Sequence, residues 1–505
     1  MKKFAWPAWV YHLTHPSLAQ LWGITLLAGI FIFLNTHPIR PHDFWWHMRA
    51  GQEIAATGQI PQYDTFSSTM YGAPYNYTVY WMAQVAMYYT YSLGGPALVV
   101  FLHSTIITAG YALLFRLCHM QSDNRRIATL CVFIAAALGI HSWNVRPQTV
   151  TFLLGPMYLY TIAQYTRRPR RALLALFPVG MLVWVNSHGS FPIGLILLGL
   201  WLIDAWTTRH KTPRPLWPDA LAALTLTTLA GLLNPRGIGI LHYLVGMGQN
   251  PAVQQLVPEW AAPTFAQVDG ATFYSLLLVS SLILLLSPRR PRPAQLLAFV
   301  MFGALSWRTS RGIPWFGIIL APILADSLPP LFAKSGVSLT EKPPTSTNLR
   351  VNQGFLALII LVVVGTLPWF KAHLPLPPLK AGLISAETPL QATDYMLQVD
   401  CPTPIFNEVG FGSYLIWAAQ PNYPVFVDPR IDLYPLELWL DYIRISAAAP
   451  SWEEKLEHYG ARTLLLNPQT QAGLVAAARE SQQWREVYQD EVSVILITRG
   501  EACTE

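Results

Sequence analysis

A series of long apolar segments runs through most of this sequence and limits what it can fold into. A helix needs about 20 apolar residues, within a range of about 17–25, to cross a bilayer core about 30 Å thick. Eleven stretches meet or approach that length: 18–36, 97–118, 127–143, 149–165, 172–186, 191–207, 218–233, 272–288, 294–308, 313–327 and 353–370. The sequence therefore predicts a polytopic α-helical membrane protein with about eleven transmembrane helices.

The composition agrees with this prediction and divides the chain into two parts. Charged residues make up 12% of the sequence, against about 25% in a typical soluble domain. Residues 1–370 carry 24 Lys/Arg and 10 Asp/Glu, whereas residues 371–505 carry 9 and 17. This asymmetry indicates two environments. The basic excess of the first part is what cytoplasmic loops of a membrane protein require, so it gives no reason to expect a nucleic-acid partner.

Basic segments between the spans predict the orientation of the chain. Cytoplasmic loops carry an excess of Lys and Arg. With eleven spans, five basic segments fall on one side: MKK (1–3), DNRR (123–126), RRPRR (167–171), RHKTPR (209–214) and RRPR (289–292). We therefore expect a cytoplasmic N-terminus, a retained first span and an extracytoplasmic C-terminal region.

Two segments between the spans have their own patterns. Residues 79–93 are apolar but would reverse the orientation if they crossed, so we expect an interfacial or re-entrant helix within an external first loop at 37–96. Residues 328–352 contain Pro, Ser and Thr without an apolar period and predict a flexible cytoplasmic linker. The transmembrane domain then comprises residues 1–370.

Residues 371–505 have the pattern of a soluble, extracytoplasmic α/β domain. Short apolar runs predict strands at PIFNE (404–408), PVFVD (424–428), TLLLN (463–467), REVYQ (485–489) and SVILITR (493–499). Helical patterns lie between several of these runs, at GSYLIWAAQ (412–420), 435–446 and 469–482. Strands alternating with helices favour a largely parallel sheet. The domain has no GxGxxG motif, so we expect no dinucleotide site there.

The four cysteines divide by predicted compartment. Cys118 and Cys131 flank a predicted cytoplasmic loop and should be reduced. Cys401 and Cys503 both lie in the predicted external domain. The sequence leaves two alternatives for them, a disulfide bond between the two residues or two free thiols. No cysteine spacing indicates a zinc site.

Charged and polar residues on the predicted outer face form the candidate site. Such residues in a membrane domain are expensive and tend to be functional. In the first loop, FWWHMRAGQEIAAT (44–57) predicts a helix with apolar positions on one side, able to lie along the membrane surface, with Asp43 as its N-cap. The candidate substrate-binding residues are His47, Asp64, Arg146, His188, Arg236, Glu259, Arg308 and Arg311.

One carboxylate and a ring of cations suit a particular chemistry. A sugar attached to a lipid phosphate has a good leaving group, which needs charge stabilisation of the kind that Arg supplies. The acceptor hydroxyl needs one carboxylate base. These requirements match a single-displacement, inverting glycosyl transfer, because a retaining reaction would need a second carboxylate as nucleophile.

Several motifs also carry a family resemblance. The pattern PHDFWWHMRAGQ within residues 41–67 resembles the first external loop of bacterial membrane proteins of the GT-C superfamily of polyprenyl-phosphate-sugar-dependent glycosyltransferases. WNVRPQ (143–148), NSHGSF (186–191) and FVDPRIDLY (426–434) are also similar to theirs. The resemblance covers most of the chain. It implies a first-loop acidic catalytic residue, which maps onto Asp43, a lipid-phosphate donor, and catalysis on the external face of the bacterial inner membrane.

Other assignments stay open at this point. The superfamily often has two neighbouring acids in the first loop, whereas Asp43 is followed by Phe44. A divalent metal ion held by His42, Asp43 and His47 is one alternative to a metal-free site. A ligase or polymerase acting on a lipid-linked glycan, a transporter or flippase, and a non-catalytic scaffold are alternative functions. Asp428, Arg430 and Asp432 favour an internal salt-bridged turn, and the sequence does not identify the acceptor.

Overall fold

Helices form almost all of the N-terminal region in the computed structural model, which describes residues 15–75, 77–210, 214–336, 345–374 and 377–503. In chain order they are α1 Leu18–Asn35, α2 Asp43–Thr57, α3 Trp81–Ser122, α4 Arg125–Gly139, α5 Thr151–Arg167, α6 Leu176–Val185, α7 Pro192–Thr207, α8 Trp217–Gly231, α9 Ile240–Gln249, α10 Pro251–Leu256, α11 Val268–Leu286, α12 Pro293–Arg308, α13 Ile313–Lys334 and α14 Ser346–Gly365.

All eleven predicted spans overlap a helix, which confirms the polytopic helical class. In the described part of the chain, six helices are long and apolar enough to cross a bilayer: Leu18–Asn35, Trp81–Ser122, Arg125–Ser142, Val268–Leu286, Ser310–Lys334 and Asn348–Gly365. Shorter apolar helices include Arg171–Val185 and Pro192–Thr207. The number of eleven crossings stays a prediction, because helix length alone does not give the depth of each helix in the membrane.

Helix α3 changes direction at the boundary that the sequence predicted between residues 93 and 97. Gly94 and Gly95 depart from helical backbone angles, and Pro96 follows them. Gly95 has φ of 61° and ψ of −162°, a combination that essentially only glycine adopts. The first part of α3 is therefore a separate helical segment, and the apolar part after Pro96 corresponds to the predicted span at 97–118.

The predicted linker at 328–352 is wrong at both ends. Helix α13 continues to Lys334, and α14 begins at Ser346. The prolines at 329 and 330 lie inside α13, where tertiary packing overrides the usual preference of proline for helix ends. Residues 337–344, in the middle of the predicted linker, lie outside the described residues.

The C-terminal region folds as a small sheet with helices around it. Its helices are α15 Pro378–Ala381, α16 Leu390–Gln398, α17 Val409–Ala418, α18 Leu436–Ser446, α19 Trp452–His458 and α20 Ala472–Glu480. Its strands are β1 Ile405–Asn407, β2 Thr463–Leu466, β3 Trp484–Gln489 and β4 Val494–Thr498, in the order β1-β2-β4-β3.

The prediction of a largely parallel sheet is wrong. Only β1 and β2 pair in parallel, with Phe406 opposite Leu464, whereas β4 pairs antiparallel with both β2 and β3. The predicted strand PVFVD is also wrong as a sheet member. It forms one isolated bridge, between Val425 and Ser67 of the first loop.

The first loop and the C-terminal region share a hydrophobic core. Trp46 and Phe66 of the first loop are buried together with Phe406 and Phe411 of the C-terminal region. The backbone N–H of Trp46 donates to Oγ of Ser413 in α17 over 3.1 Å. Helix α2 is therefore packed inside protein on the side facing α17, and its position along the membrane surface stays a prediction.

Helix α2 also packs closely against α3 through a glycine. A Cβ atom added at Gly51 would lie 2.1 Å from the carbonyl oxygen of Gln84. Phe44, Trp45 and Met48 are buried on another side of α2, against residues that include Val99 and Val100 of α3. Both contacts fix the direction of α2, and so fix the position of its N-terminal residue Asp43.

Cys401 and Cys503 lie together, as one of the two sequence interpretations requires. Their Sγ atoms are 2.7 Å apart, and all four cysteines are free thiols in the structure.

In an oxidising compartment we expect the thiols of Cys401 and Cys503 to form a disulfide bond. Peptide mass spectrometry of membranes alkylated without reduction should show a peptide pair linked through Cys401 and Cys503. Full alkylation of both residues would contradict this expectation, and the buried Cys118 and Cys131 serve as the unlinked control.

Candidate functional site

Asp43 occupies the N-terminus of α2 and pairs with an arginine from a distant segment. The predicted N-cap role is wrong by one position, because the N-cap is His42 and Asp43 lies in the first helical turn. Arg146 stands at the start of the short 3₁₀ helix Pro147–Val150, between α4 and α5. Its Nε lies 2.8 Å from Oδ2 of Asp43. Both side chains are about four-fifths buried, with exposed fractions of 22% for Asp43 and 23% for Arg146.

A second carboxylate connects Arg146 to another arginine. Oε1 of Glu259 accepts from Nη1 of Arg146 at 3.1 Å, and Oε2 accepts from Nε of Arg311 at 3.2 Å. The four side chains Asp43, Arg146, Glu259 and Arg311 thus form one continuous chain of ion pairs. We refer to these four residues as the ionic chain.

A hydrogen bond from Thr309 and a cation–π contact with Trp260 hold the far end of the ionic chain in place. Glu259 belongs to the 3₁₀ helix Pro258–Trp260, and Arg311 to the 3₁₀ helix Ser310–Gly312. Oγ1 of Thr309 donates to the carbonyl oxygen of Glu259 at 2.8 Å. The guanidinium group of Arg311 lies 5.0 Å from the ring centre of Trp260, a distance at which the ring attracts a cation. Glu259 and Arg311 are thereby fixed relative to each other.

The charges of the ionic chain shift the pKa values of Arg146 and Glu259. The pKa of Arg146 is raised, chiefly by Asp43 and against the effect of burial, with Glu259 adding to the increase. Burial raises the pKa of Glu259, but Arg146 and Arg311 together outweigh it and leave this pKa below its ordinary value. All shifts favour the charged forms, so the ion pairs persist at neutral pH.

Two predicted histidines lie beside the ionic chain and are neutral. Burial, followed by the charges of Arg311 and Arg146, lowers the pKa of His188 to about 3. The backbone N–H of Ser190 donates to Nδ1 of His188 at 3.2 Å, so we assign the ring proton to Nε2. Burial and the charge of Arg146 also hold the pKa of His47 well below its ordinary value. Nδ1 of His47 is 3.0 Å from Nε2 of Gln84.

Three other predicted residues lie in different surroundings. Asp64 is fully buried, and its carboxylate accepts from the backbone of Ser67 and from Arg430, so its role is structural. Arg236 donates from Nε to Oγ1 of Thr78 at 2.9 Å. Arg308 is exposed at the end of α12, and within the described residues it forms no ion pair.

A cavity of about 370 Å³ opens beside Asp43 and Arg146. Its wall combines apolar rings with basic and imidazole side chains, contributed by the end of α1, the start of α2, His103 of α3 and the segment Ile140–Arg146. The size and the mixed lining are typical of pockets for small ligands, about 300–1,000 Å³. The carboxylate of Asp43 is therefore both paired and next to a cavity of ligand size.

Sequence reasoning missed several residues around this site. Tyr80 lies between the two histidines, with its ring centre 5.3 Å from that of His47 and 6.2 Å from that of His188. Its Oη is 3.0 Å from Oη of Tyr243. Because aromatic residues are common at membrane boundaries, nothing in the sequence distinguished Tyr80 from them. Arg40, which lines the cavity, directly precedes the motif that begins at Pro41 and was the more visible signal.

The side chains proposed for a metal ion do not converge. Among the described residues, no group of three or more His, Cys, Asp or Glu side chains is arranged to hold a metal ion. Asp43 is engaged by Arg146, and His47 stacks on Trp46 with ring centres 3.6 Å apart. The residues present do not fit the metal alternative, and we derive no chemistry through it.

Comparison with known proteins identifies the fold. No protein-family profile and no curated protein sequence matches the chain. Among solved structures, arabinofuranosyltransferase AftD from Mycobacteria is similar with a TM-score of 0.54 and 14% identity, over 95% of this chain and 40% of that chain. A mutant form of AftD is similar with a TM-score of 0.55 and 13% identity, over 96% of this chain and 42% of that chain.

A third solved structure matches over nearly its whole length. ArnT from Cupriavidus metallidurans, bound to undecaprenyl phosphate, is similar with a TM-score of 0.50 and 14% identity, over 97% of this chain and 98% of that chain. The present chain thus spans less than half the length of AftD and almost all of ArnT. These similarities show that this chain shares the fold of AftD and ArnT.

Proposed function

We propose that this protein is an inverting membrane glycosyltransferase that moves a sugar from a polyprenyl-phosphate donor to an acceptor hydroxyl. The main support is the position of the ionic chain beside a ligand-sized cavity, in a fold shared with an arabinofuranosyltransferase and with a protein bound to undecaprenyl phosphate. The predicted orientation places this reaction on the external face of the bacterial inner membrane, with the N-terminus cytoplasmic and the C-terminal region outside.

The donor phosphate binds between Arg146 and Arg311 in this proposal. In the structure, each of these guanidinium groups donates to a different oxygen of the Glu259 carboxylate. A phosphate monoanion has the same charge and more acceptor oxygens, so it can take the place of that carboxylate. His188 carries an Nε2 proton and adds a neutral donor. Glu259 then serves as an internal stand-in for the phosphate, and its loop opens when the donor enters.

Asp43 acts as the general base. As the acceptor oxygen forms its bond to the anomeric carbon, its proton passes to the Asp43 carboxylate. The bond between the anomeric carbon and the phosphate oxygen breaks on the opposite side, and its electron pair leaves with the polyprenyl phosphate. Arg146 and Arg311 stabilise the charge that develops on that leaving group. Attack opposite to the leaving group inverts the anomeric configuration.

Two substitutions in the ionic chain test the donor site, because they should change the affinity for undecaprenyl phosphate in opposite directions. Arg311→Gln removes a charge-assisted donor, worth about 1.5–3 kcal/mol, so the affinity for undecaprenyl phosphate should fall about ten-fold or more. Glu259→Gln removes the competing negative charge, so the same affinity should rise. Binding to the full chain in nanodiscs measures both effects.

Exposed residues of the same types provide matched controls. Arg444→Gln and Glu491→Gln change side chains on the exposed surface of the C-terminal region and should leave binding unchanged. If Glu259→Gln weakens binding as much as Arg311→Gln does, the carboxylate organises the site instead of standing in for the phosphate. Transfer of a labelled sugar to a covalent product supports the enzyme, whereas uptake into vesicles without product would support a transporter.

A further inference from the structure

The cavity beside Asp43 has one side that the donor site does not use. Glu259, Arg311 and His188 do not line it, whereas Asp43 and Arg146 do. In a single displacement, the acceptor and the leaving phosphate occupy opposite sides of the anomeric carbon. If the phosphate binds between Arg146 and Arg311, the cavity on the other side of Asp43 is the space left for the acceptor.

Basic groups outnumber carboxylates around this cavity. Arg40 and Arg146 line it, and Nζ of Lys380 lies 2.9 Å from Nε2 of His37, which also lines it. Burial lowers the pKa of His37, and the positive charges of Lys380, Arg40 and Lys371 lower it further. Two carboxylates oppose these positive charges. Asp43 is paired with Arg146, and the negative charge of Glu387 acts to raise the pKa of His42.

The start of α2 adds to this positive environment. Helix α2 has 15 residues, and its N-cap residue His42 makes no side-chain capping hydrogen bond and faces the cavity. The N-terminus of a helix favours an anion. Apolar rings of Phe33, Phe44 and Trp143 form the other walls. The cavity therefore joins aromatic surface, suited to a sugar ring, with cationic groups suited to a phosphate or carboxylate.

We propose that this cavity is the acceptor subsite and that the acceptor is an acidic sugar, whose phosphate or carboxylate group contacts Arg40. The assignment to the acceptor rests on the proposed glycosyl transfer, whereas the binding of an anion next to Arg40 does not. Arg40 is exposed and takes no part in the ionic chain, so its substitution should leave the chain folded.

Binding of soluble probes to the full chain in nanodiscs tests the proposal. The probes are ribose and ribose 5-phosphate, each measured with and without saturating undecaprenyl phosphate, together with inorganic phosphate. We expect ribose 5-phosphate to bind at least ten-fold more tightly than ribose, also when undecaprenyl phosphate is present. Arg40→Gln should abolish that difference and leave the affinity for undecaprenyl phosphate unchanged. Arg444→Gln should change neither.

Each other outcome has a definite meaning. Displacement of ribose 5-phosphate by undecaprenyl phosphate would show that the cavity holds the donor and would overturn the proposal. The same conclusion would follow if Arg40→Gln lost the binding of both ligands. Equal affinities for ribose and ribose 5-phosphate would also overturn it. If inorganic phosphate binds as tightly as the sugar phosphate, the subsite takes free phosphate and not an acceptor. If wild-type protein binds no undecaprenyl phosphate while Arg40-dependent binding persists, the proposed donor fails but the anion site stands.

Discussion

Asp43→Asn should reduce sugar transfer by about 10²–10⁴-fold, the usual contribution of a general base. Asparagine has nearly the same shape as aspartate and can still accept a hydrogen bond from Arg146, but it cannot take the acceptor proton. The measurement is the rate of labelled-sugar transfer from a polyprenyl-phosphate donor in reconstituted vesicles. Because Asp43 and Arg146 keep a hydrogen bond in the variant, the affinity for undecaprenyl phosphate should change little.

A matched acidic residue makes the result specific. Asp394 is exposed on α16 of the C-terminal region, and Asp394→Asn should transfer sugar at the wild-type rate. Both variants should elute as the same folded species in size-exclusion chromatography. A fully active Asp43→Asn variant would remove this residue from the reaction, and the assignment of the base would then be wrong.

Arg430→Met should destabilise the core shared by the first loop and the C-terminal region more than any other single change considered. The Arg430 side chain is completely buried. Its guanidinium group donates to Asp428 from Nε at 2.8 Å, to Asp64 from Nη1 at 2.5 Å and to Tyr77 Oη at 2.8 Å. Removing one member of a buried ion cluster costs about 3–5 kcal/mol, because the remaining charges are left uncompensated.

The expected result is a loss of folded protein, measured as the monodisperse fraction after extraction and as the melting temperature. Arg444→Met is the control, since Arg444 is 60% exposed in the same region. Neutralising the partners together, in Arg430→Met with Asp64→Asn and Asp428→Asn, should recover part of the stability. A melting temperature equal to wild type in Arg430→Met alone would contradict the account of the cluster.

Arg430 also explains why the first loop and the C-terminal region act as one unit. It connects Asp428 to Asp64, which lies 366 positions before Arg430 in the chain. Trp46 of α2 packs in the same core. The C-terminal region thus contributes to holding the helix that carries Asp43. The sequence interpretation as an internal salt-bridged turn is confirmed for Asp428 and Arg430. It is wrong for Asp432, whose Oδ1 accepts from Oη of Tyr75 instead, and the partner Asp64 could not be predicted from local pattern.

The helical part of the fold was predictable because apolar length is a local property. Each predicted span overlaps a helix, and the break before residue 97 follows from Gly94, Gly95 and Pro96. The continuation of α13 to Lys334 was not predictable in the same way. Its consecutive prolines are typical of a linker, whereas the buried Ser327 and Leu328 just before them pack against other helices, a tertiary contact that local pattern does not show.

The sheet was harder to predict because pairing direction depends on contacts between distant strands. The segment between β3 and β4 nevertheless contained a usable signal. Oδ1 of Asp490 accepts from the backbone N–H groups of Val492 and Ser493, at 2.8 and 2.7 Å. Such a turn is typical of a hairpin, and a hairpin requires antiparallel neighbours. The buried run PVFVD had the composition of a strand, but it pairs with the first loop and not with the sheet.

The site was predictable in its residue types but not in its connections. Charged residues at the outer ends of separate helices indicated a common cavity, and Asp43, Arg146, Glu259 and Arg311 do form one chain of contacts. The sequence could not show that Glu259 bridges two arginines, or that Asp64 is buried with Arg430, because both facts depend on tertiary contacts. The roles of these residues in catalysis stay predictions.

The most direct test of the central claim is a cryo-electron microscopy structure of the full chain in nanodiscs with bound undecaprenyl phosphate. The account predicts phosphate density within hydrogen-bond distance of the guanidinium groups of Arg146 and Arg311, with the Glu259 carboxylate displaced and Asp43 facing the adjoining cavity. A phosphate group bound elsewhere, with the contacts from Glu259 to both arginines intact, would contradict it.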